Sequence, residues 1–122
     1  MASKDTALLV YNLMRARGAQ SKSEAQATVT LPDITNFKKV EPTLDAGSTG
    51  WTCNMSEVGG TAQGFVLVTP RPVSVKLNGD AAGKPCGSVW FLFDTTITSV
   101  VIDNNIQSPA ADVKPEIWLI AH

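Results

Sequence analysis

Between Gly64 and Ala121 the chain carries five short apolar runs, and four of them are apolar on both faces of a strand. Side chains alternate across a β-strand, so each run reads as two faces. Phe65 and Leu67 oppose Val66 and Val68. Val89, Phe91 and Phe93 oppose Trp90 and Leu92. Ile97 and Val101 oppose Val100 and Ile102, and Ile117 and Leu119 oppose Trp118 and Ile120. Only the run from Val73 to Leu77, with Ser74 and Lys76 on its second face, has the pattern of an ordinary half-buried strand. A two-layer sandwich gives each sheet one inner face, and the other face usually meets water. Two-sided strands therefore call for a second cover, from the N-terminal segment of the same chain or from another subunit. Each large apolar side chain left in water forgoes ~1.5–3 kcal/mol of burial. Phe65, Val66, Val68, Trp90, Phe91, Phe93, Trp118 and Ile120 are thus the candidate packing and self-association residues.

The connections between these runs are built from Gly, Pro, Asn and Asp, each a turn former for its own backbone reason. Pro70 stops the first run, and Asn78-Gly79, a favoured tight-turn pair, follows the second. Upstream, Thr28-Val29-Thr30-Leu31 ends at Pro32, Ile34 to Val40 is closed by Pro42, and Trp51 to Met55 is a weaker strand candidate. Short strands at this spacing predict a mainly β fold, an antiparallel β-sandwich or barrel with a jelly roll among its forms. Residues 27–122 are expected to make the sandwich. Residues 1–26 are expected to be an N-terminal helix or extended arm followed by a linker. Asp5 or Thr6 can cap a helix in which Leu9, Val10, Leu13 and Met14 recur at helical spacing, with Gly18 as its stop. Leu8 to Tyr11 reads equally as a short strand, and residues 18–26 are polar enough for an exposed loop.

The sequence offers little for chemistry. The only histidine, His122, is the last residue, so the base of a nucleophilic triad is missing from the body of the chain. Asp80, Asp94, Asp103 and Asp112 fall at turns or strand ends, where Asp serves local backbone hydrogen bonds. Cys53 and Cys86 belong to no C-x-x-C motif and are read as buried thiols, with a disulfide between facing strands as the other reading. No enzyme activity, cofactor or metal is expected. A net charge of −1, with Lys38-Lys39 as the only adjacent basic pair, gives no field that would draw nucleic acid. No apolar run approaches the ~20 residues of a membrane span, and the first residues lack the pattern of a secretory signal. A protein made in the cytoplasm, without nucleic-acid or membrane partners, is the expectation. Trp51, between Gly50 and Thr52, is the tryptophan best placed for exposure and a candidate glycan contact.

Residues 64–121 resemble small structural proteins of tailed bacteriophage virions. The resemblance runs through Gly64-Phe65-Val66-Leu67-Val68-Thr69, Val73-Ser74-Val75-Lys76-Leu77-Asn78-Gly79, Trp90-Phe91-Leu92-Phe93-Asp94-Thr95-Thr96-Ile97-Thr98-Ser99 and Glu116-Ile117-Trp118-Leu119-Ile120. It implies a capsid decoration, head–tail or tail component that forms a homo-oligomer, with a trimer as the expected unit, and that binds the major capsid or tail protein in the virion. No catalytic residue carries over. The alternative is a carbohydrate- or receptor-binding β-sandwich module of a phage fibre, with Trp51 beside Asn and Asp side chains.

Overall fold

The computed structural model describes residues 5–121. Their elements are β1 (Asp5–Arg17), β2 (Gln20–Ile34), β3 (Asn36–Val40), β4 (Trp51–Thr52), β5 (Ala62–Val68), β6 (Val73–Leu77), β7 (Lys84–Cys86), β8 (Val89–Ile97), β9 (Val100–Asp103) and β10 (Glu116–Ala121). One 3₁₀ turn spans Met55–Val58, and no α-helix occurs among the described residues. Every strand pairing is antiparallel. Two four-stranded sheets, ordered β3-β10-β5-β8 and β4-β9-β6-β7, pack face to face in the manner of a sandwich, and β1-β2 forms a separate two-stranded hairpin. Within the sandwich β3 pairs with β10, β4 with β9, β5 with β8 and β6 with β7. The first four strands of the sandwich are therefore laid against its last four like one long hairpin wound up.

The alternation seen in the sequence places the core. Phe65 and Leu67 of β5 and Ile117 and Leu119 of β10 face Val73 and Val75 of β6 and Val100 and Ile102 of β9, all fully buried. The Phe65 and Trp90 rings meet edge to face, with centroids 6.1 Å apart. Asn78 and Gly79 both adopt positive φ, and the Asp80 amide donates to the Leu77 carbonyl, the mirror-image turn that Asn-Gly favours. Beyond the turn, the Asn78 side chain donates to the Thr96 carbonyl and accepts from the Thr98 amide, which ties β6 to the end of β8.

The N-terminal segment departs from the helical expectation. Residues 5–17 are extended, and Arg17 pairs with Gln20 across a tight turn in which Gly18 takes a φ of +62°. The spacing of Leu9, Val10, Leu13 and Met14 fits a helix, but Ala7, Leu9 and Tyr11 also alternate with Leu8 and Val10. The β-branched run Thr28-Val29-Thr30 supplies a partner strand that satisfies the backbone of β1, and this pairing decides between the two patterns. Residues 20–26, expected to be a linker or loop, are the distal half of β2. Pro32 does not end this strand: β2 runs on to Ile34 through an irregularity at which Asp33 has a φ of +56°. Ile97 closes β8 rather than opening β9, so it does not share a strand with Val101. His122 lies outside the described residues.

Candidate assembly surface

The outer face of the β3-β10-β5-β8 sheet is apolar over most of its area. Cross-strand neighbours form the rows Phe37–Ile120–Gly64–Phe93, Lys39–Trp118–Val66–Phe91 and Glu116–Val68–Val89. The outer face of the other sheet carries Ser74, Lys76, Thr52 and Val101 in register with one another or with Asp103, and Lys76 pairs with Asp103 at 3.8 Å.

The hairpin covers one end of the apolar face. Ala7, Leu31 and Ile34 pack with Ile120 and Phe93 in a second core outside the sandwich. Gly64 makes this possible. A Cβ at that position would lie 3.1 Å from the Ile120 Cβ and 3.3 Å from the Leu31 Cδ2, so the missing side chain is the seat of Leu31. Further along, the Tyr11 and Phe91 rings stand 5.7 Å apart. Between β1 and the sheet an apolar groove of about 260 Å³ stays open, lined by Leu8, Leu9, Phe37, Val66, Val68 and Trp118 together with residues of the second core.

Apolar surface remains exposed on both sides of this groove. On the sheet Phe37 is 54% and Val89 56% exposed; on β1 Leu8 is 62%, Val10 65% and Met14 47% exposed. Past the Tyr11–Ala27 pair the hairpin projects as a two-stranded ribbon, its described side chains exposed and its register set by pairs such as Asn12–Gln26 and Arg15–Lys22. A charged border closes the opposite end of the sheet. Lys39 stands 5.1 Å over the Trp118 ring, 2.9 Å from Glu41 and 3.5 Å from Glu116, while Lys114 lies 3.8 Å from Glu41. The hydrogen bond with Glu41 raises the Lys39 pKa, and the same bond lowers that of Glu41.

The candidate residues read from the sequence divide cleanly. Val66, Val68, Phe91, Phe93, Trp118 and Ile120 share the outer face. Phe65 is fully buried in the sandwich core, and the half-buried Trp90 packs inward against it, so neither lies on the outer face. Trp51 is half-buried and packs against the main core from the edge strand β4. Phe37, Val89, Leu8, Val10 and Met14 complete the apolar surface without having been singled out. Period-two alternation with Phe91 and Phe93 marks Val89, alternation along β1 marks Leu8, Val10 and Met14 once that segment is taken as a strand, and Phe37, between Asn36 and Lys38, carries no such signal.

Asp103, Asp112 and Asn104 have structural partners. An Asp103 carboxylate oxygen accepts from the Gly50 amide at 2.6 Å, and the buried Asn104 amide lies within hydrogen-bond distance of the Leu44, Asp45 and Ala111 carbonyls. These bonds fasten the loops at one end of the sandwich. No group of three or more His, Cys, Asp or Glu able to hold a metal occurs among the described residues. Cys53 and Cys86 are free and buried; their strand neighbours lie on opposite edges of the same sheet, and burial raises both thiol pKa values. Comparison with protein-family models, with curated proteins and with solved structures gives no match to this chain.

Proposed function

We propose that this chain is a structural protein of a bacteriophage virion, a capsid decoration or head- or tail-associated component that works by self-association and by binding the capsid or tail surface, without enzymatic activity. The observation that carries the reading is the apolar outer face of the β3-β10-β5-β8 sheet, set beside an apolar arm that its own sandwich covers on one side only. Contiguous apolar surface of this kind marks an interface. The strand order supports the same class. Eight strands paired β3·β10, β4·β9, β5·β8 and β6·β7, with β10·β5 and β9·β6 joining them into two sheets, have the connectivity of a jelly roll, a fold common in viral capsid and lectin domains. A homotrimer bound to the major capsid or tail protein is the assembly proposed.

The jelly roll also serves lectins, but the fibre-tip, glycan-binding reading has less support, because Trp51 is half-buried and packs against the core. Light scattering of the purified chain, with negative-stain imaging, tests the reading. Oligomers at micromolar concentration, forming closed rings or larger shells and tubes, are expected. A strict monomer at that concentration contradicts it.

A further inference from the structure

We infer that β8 joins β8 of a second copy edge to edge, antiparallel about a two-fold axis at Phe91, so that two β3-β10-β5-β8 sheets become one. The inference rests on the self-association reading and adds to the outer face a second contact, along the edge of the same sheet.

The sandwich has four edge strands, and three of them are protected. β3 carries Lys38 and Lys39 and is followed by Pro42, β4 has only two residues, and β7 is Lys84-Pro85-Cys86. Short length, lysine and proline are the usual means of keeping an edge from pairing. β8 has none of them. It is nine residues long, and from Val89 to Phe93 it holds no charge, proline or glycine. Among the described residues it pairs only with β5. The arm meets it from the outer side, where Tyr11 stands against Phe91, and does not pair with it.

The occupant follows from the strand itself. The Thr69 amide donates to the Ser88 carbonyl in register with the β5–β8 ladder. By alternation the main-chain groups of Ser88, Trp90 and Leu92 point to β5, and those of Val89, Phe91 and Phe93 point away from it. With Phe91 on the axis, Phe91 falls opposite itself and Val89 opposite Phe93. These are the residues whose main-chain groups point outward, so each pair can exchange two hydrogen bonds. Trp90 falls opposite Leu92. Every pair is apolar, and no like charges meet. An axis normal to the sheet keeps each side chain on its own side, so Val89, Phe91 and Phe93 extend the outer apolar face across both copies. On the inner side Trp90 and Leu92 are partly buried, beside an opening lined by Pro85, Cys86 and Gly87, and they gain each other as cross-strand neighbours. The pairing ends at Asp94, where a φ of +60° accompanies the irregularity in the β5–β8 ladder. An identical strand thus matches β8 in main-chain direction, in apolar character and in absence of charge. The contact is isologous and closes at a pair, which leaves the outer face to join further copies.

Cysteine trapping tests the axis on the full chain, in which the native Cys53 and Cys86 are buried. In Phe91→Cys the two Cα atoms would stand about 5.5 Å apart, within disulfide range. Oxidation is expected to link most chains in pairs. In Val89→Cys the two copies would stand about 14 Å apart, four residues along the strand, and no link is expected. Equal linking at the two positions, as from sheets stacked face to face, overturns the inference, and so does an oligomer that Phe91→Cys fails to link. Val89→Pro and Val89→Ala then separate main chain from side chain. Both remove the valine, only the first removes the outward N–H, and proline is tolerated at the first residue of an edge strand. With folding checked by circular dichroism, Val89→Pro is expected to associate roughly tenfold more weakly than Val89→Ala in sedimentation, because the axis removes two hydrogen bonds at once. Equal association of the two variants overturns the edge contact and leaves self-association through the outer face standing. A native chain that is already monomeric removes both.

Discussion

The sandwich has two outsides, and they differ. The β4-β9-β6-β7 sheet shows Ser74, Lys76 and Thr52 to solvent, with Lys76 paired to Asp103. The β3-β10-β5-β8 sheet shows Phe37, Val66, Val68, Val89, Phe91 and Trp118. Both sheets contribute to one core, with Val40, Trp51, Trp90 and Leu92 partly buried at its margin. Folding explains the inner faces of both sheets and the outer face of the first of these two. It does not explain an apolar outer face on the other, because the fold gains nothing from leaving that surface in water. The difference separates residues that hold the chain together from residues that bring chains together.

The largest test of that separation contrasts Phe65 with Phe37. Both are phenylalanines of the same sheet, one fully buried and one exposed on the outer side. Phe65→Ala is expected to cost ~3–5 kcal/mol in urea denaturation, the range for truncating a core aromatic. Phe37→Ala is expected to change the stability of the dissociated chain by less than ~0.5 kcal/mol, as for an ordinary surface site, and to weaken association instead. Equal losses at the two sites would erase the distinction between inner and outer faces.

The seat of the arm comes next. Leu31→Ala removes the side chain that fills the place of a Cβ at Gly64, at an expected cost of ~2–3 kcal/mol. Gly64→Ala crowds the same seat from below, at about 1–2 kcal/mol. In both variants the amides of β1 and β2 are expected to exchange hydrogen faster while those of β5 and β10 keep their protection. Uniform loss of protection would make the arm part of the sandwich's own cooperative unit.

The charged border gives the smallest effect. Folding lowers the Glu41 pKa, so its contribution is present above the ordinary value of 4.5 and is lost as pH falls through the lower folded value. Folding raises the Lys39 pKa, so its contribution is complete below 10.5 and is lost as pH rises through the higher folded value. The pair is solvent-exposed, and screening keeps it weak. A slight acid-side decline in the urea midpoint is expected, diminished in Glu41→Gln and at high salt.

Much of the sandwich is legible in the sequence, for a physical reason. Val73–Leu77 is buried on one face, which imprints a period of two on side-chain polarity, and Glu116–Ala121, packed on both faces, stands out as a continuous apolar run. The arm is less legible because Leu8, Leu9, Val10, Leu13 and Met14 satisfy both a helical and an alternating pattern, and only the pairing with Thr28-Val29-Thr30 settles it. The strand β7 leaves no trace, since Lys84-Pro85-Cys86 contains no β-branched or aromatic residue. The candidate surface is legible as two-sided strands, but not which side faces out. That assignment depends on register, and register places Phe65 and Trp90 inside and Val66 and Phe91 outside.

The claim that copies join through the outer face of the β3-β10-β5-β8 sheet is tested most directly by sedimentation of the native chain beside a Phe37→Glu, Val89→Glu double variant. Both sites are exposed, so the variant should fold. A native oligomer and a folded monomeric variant are the predicted result. A native monomer, or a variant that sediments like the native oligomer, would contradict the account.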